Sequence, residues 1–96
     1  MTLSIEKIKQ AYEASGDAVT AIEAYGQLLV TAGDDPVLRE GILVERGMLH
    51  WRAGHRAEAI NDYNAAIRLN PHSQAVQLRE SAYAILDFYN KDLYNP

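Results

Sequence analysis

Cysteine is absent from this 96-residue chain, so no disulfide can staple it and no thiolate can hold a metal. Runs of Lys or Arg are missing too. The nine basic residues are scattered among thirteen acidic ones, and a formal charge of −4 argues against a nucleic-acid partner, whose phosphates need a basic patch. No apolar stretch approaches the ~20 residues of a membrane span. The opening MTLSIEKIKQ lacks the apolar core of a signal peptide, so a cytoplasmic protein with no membrane partner is expected. Strand-like alternation persists nowhere, which leaves an all-α chain. Signatures of catalysis are equally lacking. None of Ser4, Ser15, Ser73 and Ser81 stands in a nucleophile elbow, and no glycine-rich loop could cradle a phosphate. With no activated nucleophile and no acid–base pair, neither an enzyme nor a cofactor is expected.

What is present is a phrase that nearly recurs. Residues 16–29 read GDAVTAIEAYGQLL and residues 54–67 read GHRAEAINDYNAAI. An offset of 38 pairs Gly16 with Gly54, Ala21 with Ala59, Ile22 with Ile60 and Tyr25 with Tyr63. Glycine followed by Ala, Ile and Tyr at helical spacing describes a helix start with one packing face. Two copies at a fixed offset describe a helical-repeat architecture. Hydrophobic residues make up 48% of the chain, enough for one modest core in a single domain.

Five helices follow from periodicity and punctuation. The first runs from about Ser4, a candidate N-cap, to Ser15, with Ile5, Ile8 and Tyr12 at helical spacing. The second begins near Asp17, carries Ala21, Ile22, Tyr25, Leu28 and Leu29 on one side, and ends before Gly33. Asp34, Asp35 and Pro36 then read as a helix start rather than a calcium loop, since no alternating acidic ligands follow. The third helix reaches about Ala53, the fourth spans about Arg56 to Leu69, and the fifth runs from near Ser73 to about Asn90. A second offset, 35, pairs Pro36 with Pro71, Leu43 with Leu78, Glu45 with Glu80 and Gly47 with Ala82. It assigns the third and fifth helices to equivalent places. On the fifth, Ala75, Leu78, Ala82, Ile85, Leu86 and Tyr89 form the expected inner arc. Val76, Tyr83 and Phe88 lie off it, and Leu93 and Tyr94 follow.

The stretch from Leu43 to Pro71 resembles a tetratricopeptide repeat. Leu43, Gly47, Gly54, Ala59, Tyr63, Ala66 and Pro71 fill that family's sequence of large apolar residue, small residue, turn glycine, alanine, aromatic, alanine and closing proline. Residues 5–29 resemble a weaker copy, and the fifth helix the first half of a third. The resemblance implies a right-handed helical-repeat superhelix of about two and a half repeats, similar to small free-standing bacterial-type members. Residues 4–33 would be the first repeat, 35–71 the second and 73–91 a capping helix, within one domain spanning 1–96. There are departures. The offset of 38 exceeds the usual ~34 by about one helical turn, expected around Val30–Pro36. Lys9 stands where Gly47 would be, and His50 where an aromatic is common. Looser packing of the first helix should result.

In this family the first helix of each pair lines a concave groove. Carried over residue by residue, the resemblance puts Val44, Met48, Trp51 and Arg52 on the groove side of the third helix. The offsets extend that strip to Glu6, Gln10 and Glu13 on the first helix and to Val76, Arg79 and Tyr83 on the fifth. The partner implied is another protein or peptide, with an apolar anchor and a basic flank. Trp51 reads either as an interface anchor or as core between the third and fifth helices. Some family members grip a peptide's terminal carboxylate with Lys and Asn. Here Glu6 and Gln10 occupy those places, so no such clamp is expected. The rival function is self-association into a homodimer through Tyr83, Phe88, Tyr89 and Tyr94. His50 and His55, five apart across a turn, do not share a helix face, and no metal site is expected of them. His50 reads as a packing residue.

Overall fold

The structure, a computed structural model, describes the backbone of residues 3–94 and the side chains of residues 3–89. Five helices follow in order: α1 (Ile5–Ser15), α2 (Ala18–Ala32), α3 (Pro36–Arg52), α4 (Arg56–Leu69) and α5 (Ala75–Tyr94). No strand occurs among the described residues.

Three of the helix starts are fixed by side chains the sequence places there. Ser4 Oγ accepts from the Lys7 N–H at 3.2 Å, Asp17 from Thr20 at 3.1 Å, and Asp35 from Leu38 at 3.1 Å, with Pro36 in the first turn of α3. Each cap satisfies an amide that has no partner within its own helix. Gly16 and Gly54 turn the chain with φ of +69° and +88°, a region open to glycine and costly for other residues.

Consecutive helices pack on one another, so the chain stacks instead of closing into a bundle. Its radius of gyration, 14.5 Å, exceeds the ~12.5 Å of a compact globule of this length. The core lies in two clusters that share α3. Ile8, Ala21, Tyr25, Leu28, Ile42 and Leu49 join α1, α2 and α3. Leu43, Val44, Ala59, Tyr63, Ala66, Ala75 and Ala82 join α3, α4 and α5. Opposite sides of α3 therefore serve opposite halves of the molecule.

The α3–α4 contact is the tightest. A methyl group added at Gly47 would come within 2.7 Å of the Tyr63 ring, so only a residue without a side chain fits. Beside this contact Arg46 donates two 2.8 Å hydrogen bonds to Asp62, whose carboxylate is buried. A buried carboxylate is costly unless paired, and the bidentate fork satisfies both of its oxygens. In the first hairpin Lys9 occupies the place of Gly47 and is exposed, and Ile8 is the one buried residue that α1 supplies. The looser first helix expected from Lys9 is what the structure has.

The extra turn falls at the start of α3. Counted from Gly47 and Ala82, α5 begins at the equivalent of Glu40, whereas α3 begins four residues earlier, at Pro36. Arg39 in that added turn donates from Nη1 to the carbonyls of Leu29 and Gly33, at 3.1 and 3.0 Å. A guanidinium there satisfies carbonyls that the end of α2 leaves unpaired and complements its negative dipole end.

Helix α5 departs from the expected equivalence with α3. Ile42 and Leu49 bury α3 against the preceding helix, but their counterparts Gln77 and Ala84 are exposed. Instead α5 docks through Ala75, Leu78 and Ala82, a face turned by about one residue, or ~100°. One of the two counterpart positions holds glutamine and the other only a methyl group, so neither supplies the bulky apolar side chain that α3 has there. The expected inner arc is corrected in its second half: Ile85 and Tyr89 are 41% and 58% exposed, because no other element among the described residues lies over them. Leu93 and Tyr94 lie outside the described side chains.

Candidate functional site

The first helices of the two hairpins, α1 and α3, flank a cleft of about 220 Å³, with α2 behind it. Gly41 lets the α1 side chain Ile5 lie 3.5 Å from where a Cβ would be, so the two helices meet there. The cleft lies further along both, between Lys9, Tyr12 and Glu13 of α1 and Glu45, Met48 and Arg52 of α3.

Its floor is Tyr25, Leu49 and Met48; Lys9, Tyr12 and Glu13 line it from α1, and Glu45 and Arg52 from α3. Tyr25 is 3% exposed as a residue, and its hydroxyl makes no hydrogen bond among the described residues, yet no buried polar atom is left without a partner. The hydroxyl is therefore the part of Tyr25 that reaches the cleft. Burial, and then the nearby Glu45 carboxylate, push its pKa up to about 12, so it remains a neutral donor at physiological pH. Lys9 Nζ lies 3.8 Å from Glu45 across the mouth. The Arg52 guanidinium stands 5.9 Å from the Tyr12 ring centre, within cation–π range. The lining thus holds two cations, two carboxylates, two aromatic rings and a thioether. Its charges balance, its floor is apolar, and its hydrogen-bonding groups are loosely held.

The residues expected to form the groove fare unevenly. Glu13, Met48 and Arg52 line the cleft. Glu6 and Gln10 are exposed on α1 outside its lining. Val44 is corrected: it is 4% exposed and belongs to the α3–α5 core, because α5 lies against that side of α3. Trp51 is partly buried; it packs against the same core, with the Arg56 guanidinium 4.1 Å over its ring. The indole thus contributes to the core and keeps part of its surface exposed. Val76 is partly buried, and Arg79 is held by a 2.8 Å hydrogen bond to Asn64 of α4. Tyr83 is 46% exposed on α5. The strip is therefore interrupted, and Lys9, Tyr12, Tyr25, Glu45 and Leu49 were missed. Lys9 did carry a signal: a long side chain at a notch position forces two helices apart.

His50 and His55 do not share a helix face, yet the turn brings their rings together. The turn folds back so that their Nδ1 atoms stand 3.1 Å apart. Burial lowers the pKa of His50; Arg46 and His55 add to this, while Asp62 and Glu58 oppose it. His50 is therefore neutral at pH 7, and its 3.9 Å approach to Asp62 is not an ion pair there.

Stacked helix pairs with an open groove define a class, the all-α helical-repeat proteins. Within it, residues 41–73 match the family model of the tetratricopeptide repeat; this chain carries that repeat in α3 and α4, within a fold of the same helical-repeat kind. The repeat is in general a protein–protein interaction motif and typically a non-catalytic scaffold. No curated protein and no solved structure matches the chain. Among the described residues, no helix is long and apolar enough to cross a membrane.

Proposed function

We propose that this protein is a non-catalytic recognition module that binds a peptide or helix of another protein across α1 and α3. The cleft between them carries the reading. It lies on the first helices of successive hairpins and combines an apolar floor with charged and hydroxyl groups at its rim. Its size suits a single side chain, one with an apolar body and a polar end. The Tyr25 hydroxyl, the Lys9–Glu45 pair and the separate charges of Arg52 and Glu13 would meet that polar end. Met48 and the open edge of Trp51 continue the contact beyond the cleft, where a thioether and an indole adapt well to a partner. The acidic and polar Glu6 and Gln10 make a free C-terminal carboxylate the wrong ligand for the adjoining stretch of α1.

The experiment is selection of binders from a displayed peptide library, followed by amide chemical-shift mapping. Shifts clustered on Lys9, Tyr12, Glu45, Met48 and Arg52, with binding lost in Met48→Glu, are expected. Perturbations confined to α5, or salt-sensitive binding that needs a peptide's free C-terminal acid, would sink this reading.

A second reading is favoured by one observation. Tyr83, Ile85, Phe88 and Tyr89 leave an apolar surface on the second half of α5, with Phe88 and Tyr89 in edge contact at 5.9 Å. Exposed apolar surface at the end of a repeat array suits a homodimer. Sedimentation across a wide concentration range tests it, since a persistent monomer removes that alternative.

A further inference from the structure

The turn between α3 and α4 builds a small, ordered histidine pair. His50 Nδ1 faces His55 Nδ1 at 3.1 Å, and on its other edge His50 Nε2 lies 3.9 Å from the Asp62 carboxylate. That carboxylate is fixed by the two hydrogen bonds from Arg46. One of the two facing Nδ1 atoms donates and the other accepts, so each ring can offer a lone pair at this point once the shared proton leaves. His55 is the N-cap residue of α4, yet its side chain makes no capping hydrogen bond, unlike Ser4, Asp17 and Asp35 at the other helix starts. Its ring is exposed, so solvent reaches the pair.

We propose that His50 and His55 chelate a borderline divalent cation of the Zn²⁺ type through their Nδ1 atoms. In a tetrahedral shell with metal–nitrogen bonds of about 2.0–2.1 Å, two ligand nitrogens stand ~3.4 Å apart. A small turn of the exposed His55 ring covers the difference from 3.1 Å. Imidazole pairs suit Zn²⁺, Ni²⁺ or Cu²⁺ and not Mg²⁺ or Ca²⁺, which prefer oxygen. The Asp62 carboxylate, 3.9 Å from His50 Nε2, places negative charge behind the ring, which favours a cation on its other edge. No group of three or more candidate side-chain ligands converges among the described residues, so water completes the shell and affinity is modest. Binding replaces the N–H···N hydrogen bond: the Nδ1 proton of the donating ring moves through solvent to that ring's Nε2. The cation then sits at the C-terminal end of α3, whose carbonyls favour positive charge. It ties the last turn of α3, with Trp51 and Arg52, to the first turn of α4.

The test is calorimetric titration of the untagged full chain with Zn²⁺, with Mg²⁺ as the hard-cation control. One saturable Zn²⁺ equivalent, a raised melting temperature and no response to Mg²⁺ are expected. His55→Gln, an exposed change, should weaken binding at least tenfold while leaving the melting curve in chelator unchanged. His72→Gln should retain the full affinity. Zn²⁺ binding that survives His55→Gln, binding that disappears with His72→Gln, or no saturable binding by the unaltered chain would each overturn the proposal.

Discussion

The two hairpins α1–α2 and α3–α4 share one sequence phrase and differ in how closely their helices meet. In α3–α4 a glycine notch admits the Tyr63 ring against the α3 backbone, and a buried ion pair locks the contact. In α1–α2 the notch holds Lys9, and the tyrosine at the matching place, Tyr25, turns its hydroxyl to a cleft. A second, mostly apolar cleft of about 230 Å³, lined by Leu3, Ile8, Ala11 and Ala24 among others, opens between α1 and α2 themselves. Both cavities thus touch the loosely packed hairpin. One hairpin holds the tight, ion-paired contact and the other borders both clefts.

Breaking the lock should have the largest effect. Asp62→Ala strands the Arg46 guanidinium beside the closest helix contact. Loss of one partner of a buried pair costs ~3–5 kcal/mol, and the partial exposure of Arg46 places the expectation at the lower end, about 3 kcal/mol. Urea unfolding measures it; a loss below 1 kcal/mol would show that the pair contributes little. Next comes making the second hairpin resemble the first. Gly47→Lys forces α3 and α4 apart and should cost about 2 kcal/mol, in the range of overpacked cores. The reverse exchange, Lys9→Ala on the exposed position, should stay within ~0.5 kcal/mol. Equal costs for the two would erase the distinction between the hairpins.

The smallest effect concerns pH. Because burial lowers the His50 pKa in the folded chain, the unfolded chain takes up the proton first as pH falls. Stability should be level above the ordinary histidine value of ~6.5 and decline below it. Melting curves in chelator between pH 7.5 and 5.5 should show the decline, and His50→Gln should flatten it. The groups facing His50 are Asp62 and Glu58 from α4, His55 from the turn and Arg46 on its own helix. A stability that rises on acidification would reverse the sign of the argument.

Much of the fold was legible because it is locally encoded. Ser4, Asp17 and Asp35 cap helices through amides three residues on, and Pro36, Gly16 and Gly54 act within their own turns. The repeat phrase placed α2 and α4 because Ala59, Tyr63 and Ala66 mark a packing face by spacing alone. The groove was legible only in part. Val44 has helical spacing identical to Met48, and nothing nearby in the chain tells which of them α5 will cover. The docking side of α5 was hidden for the same reason: an offset pairs positions in sequence, whereas the side that docks depends on what lies against Ala75, Leu78 and Ala82. His50 and His55 were set apart by helix geometry, which does not extend across a turn. Asp62 lay unnoticed in the repeat phrase, since nothing in its own neighbourhood names a partner sixteen residues earlier.

Because α5 meets its neighbour with a rotated side, a further unit grafted after Leu86 could not continue the spiral begun by α2 and α3. Growth of this array by duplication would first require Gln77 and Ala84 to become bulky and apolar. Those two surface positions are where a designer should begin in order to make α5 dock as α3 does.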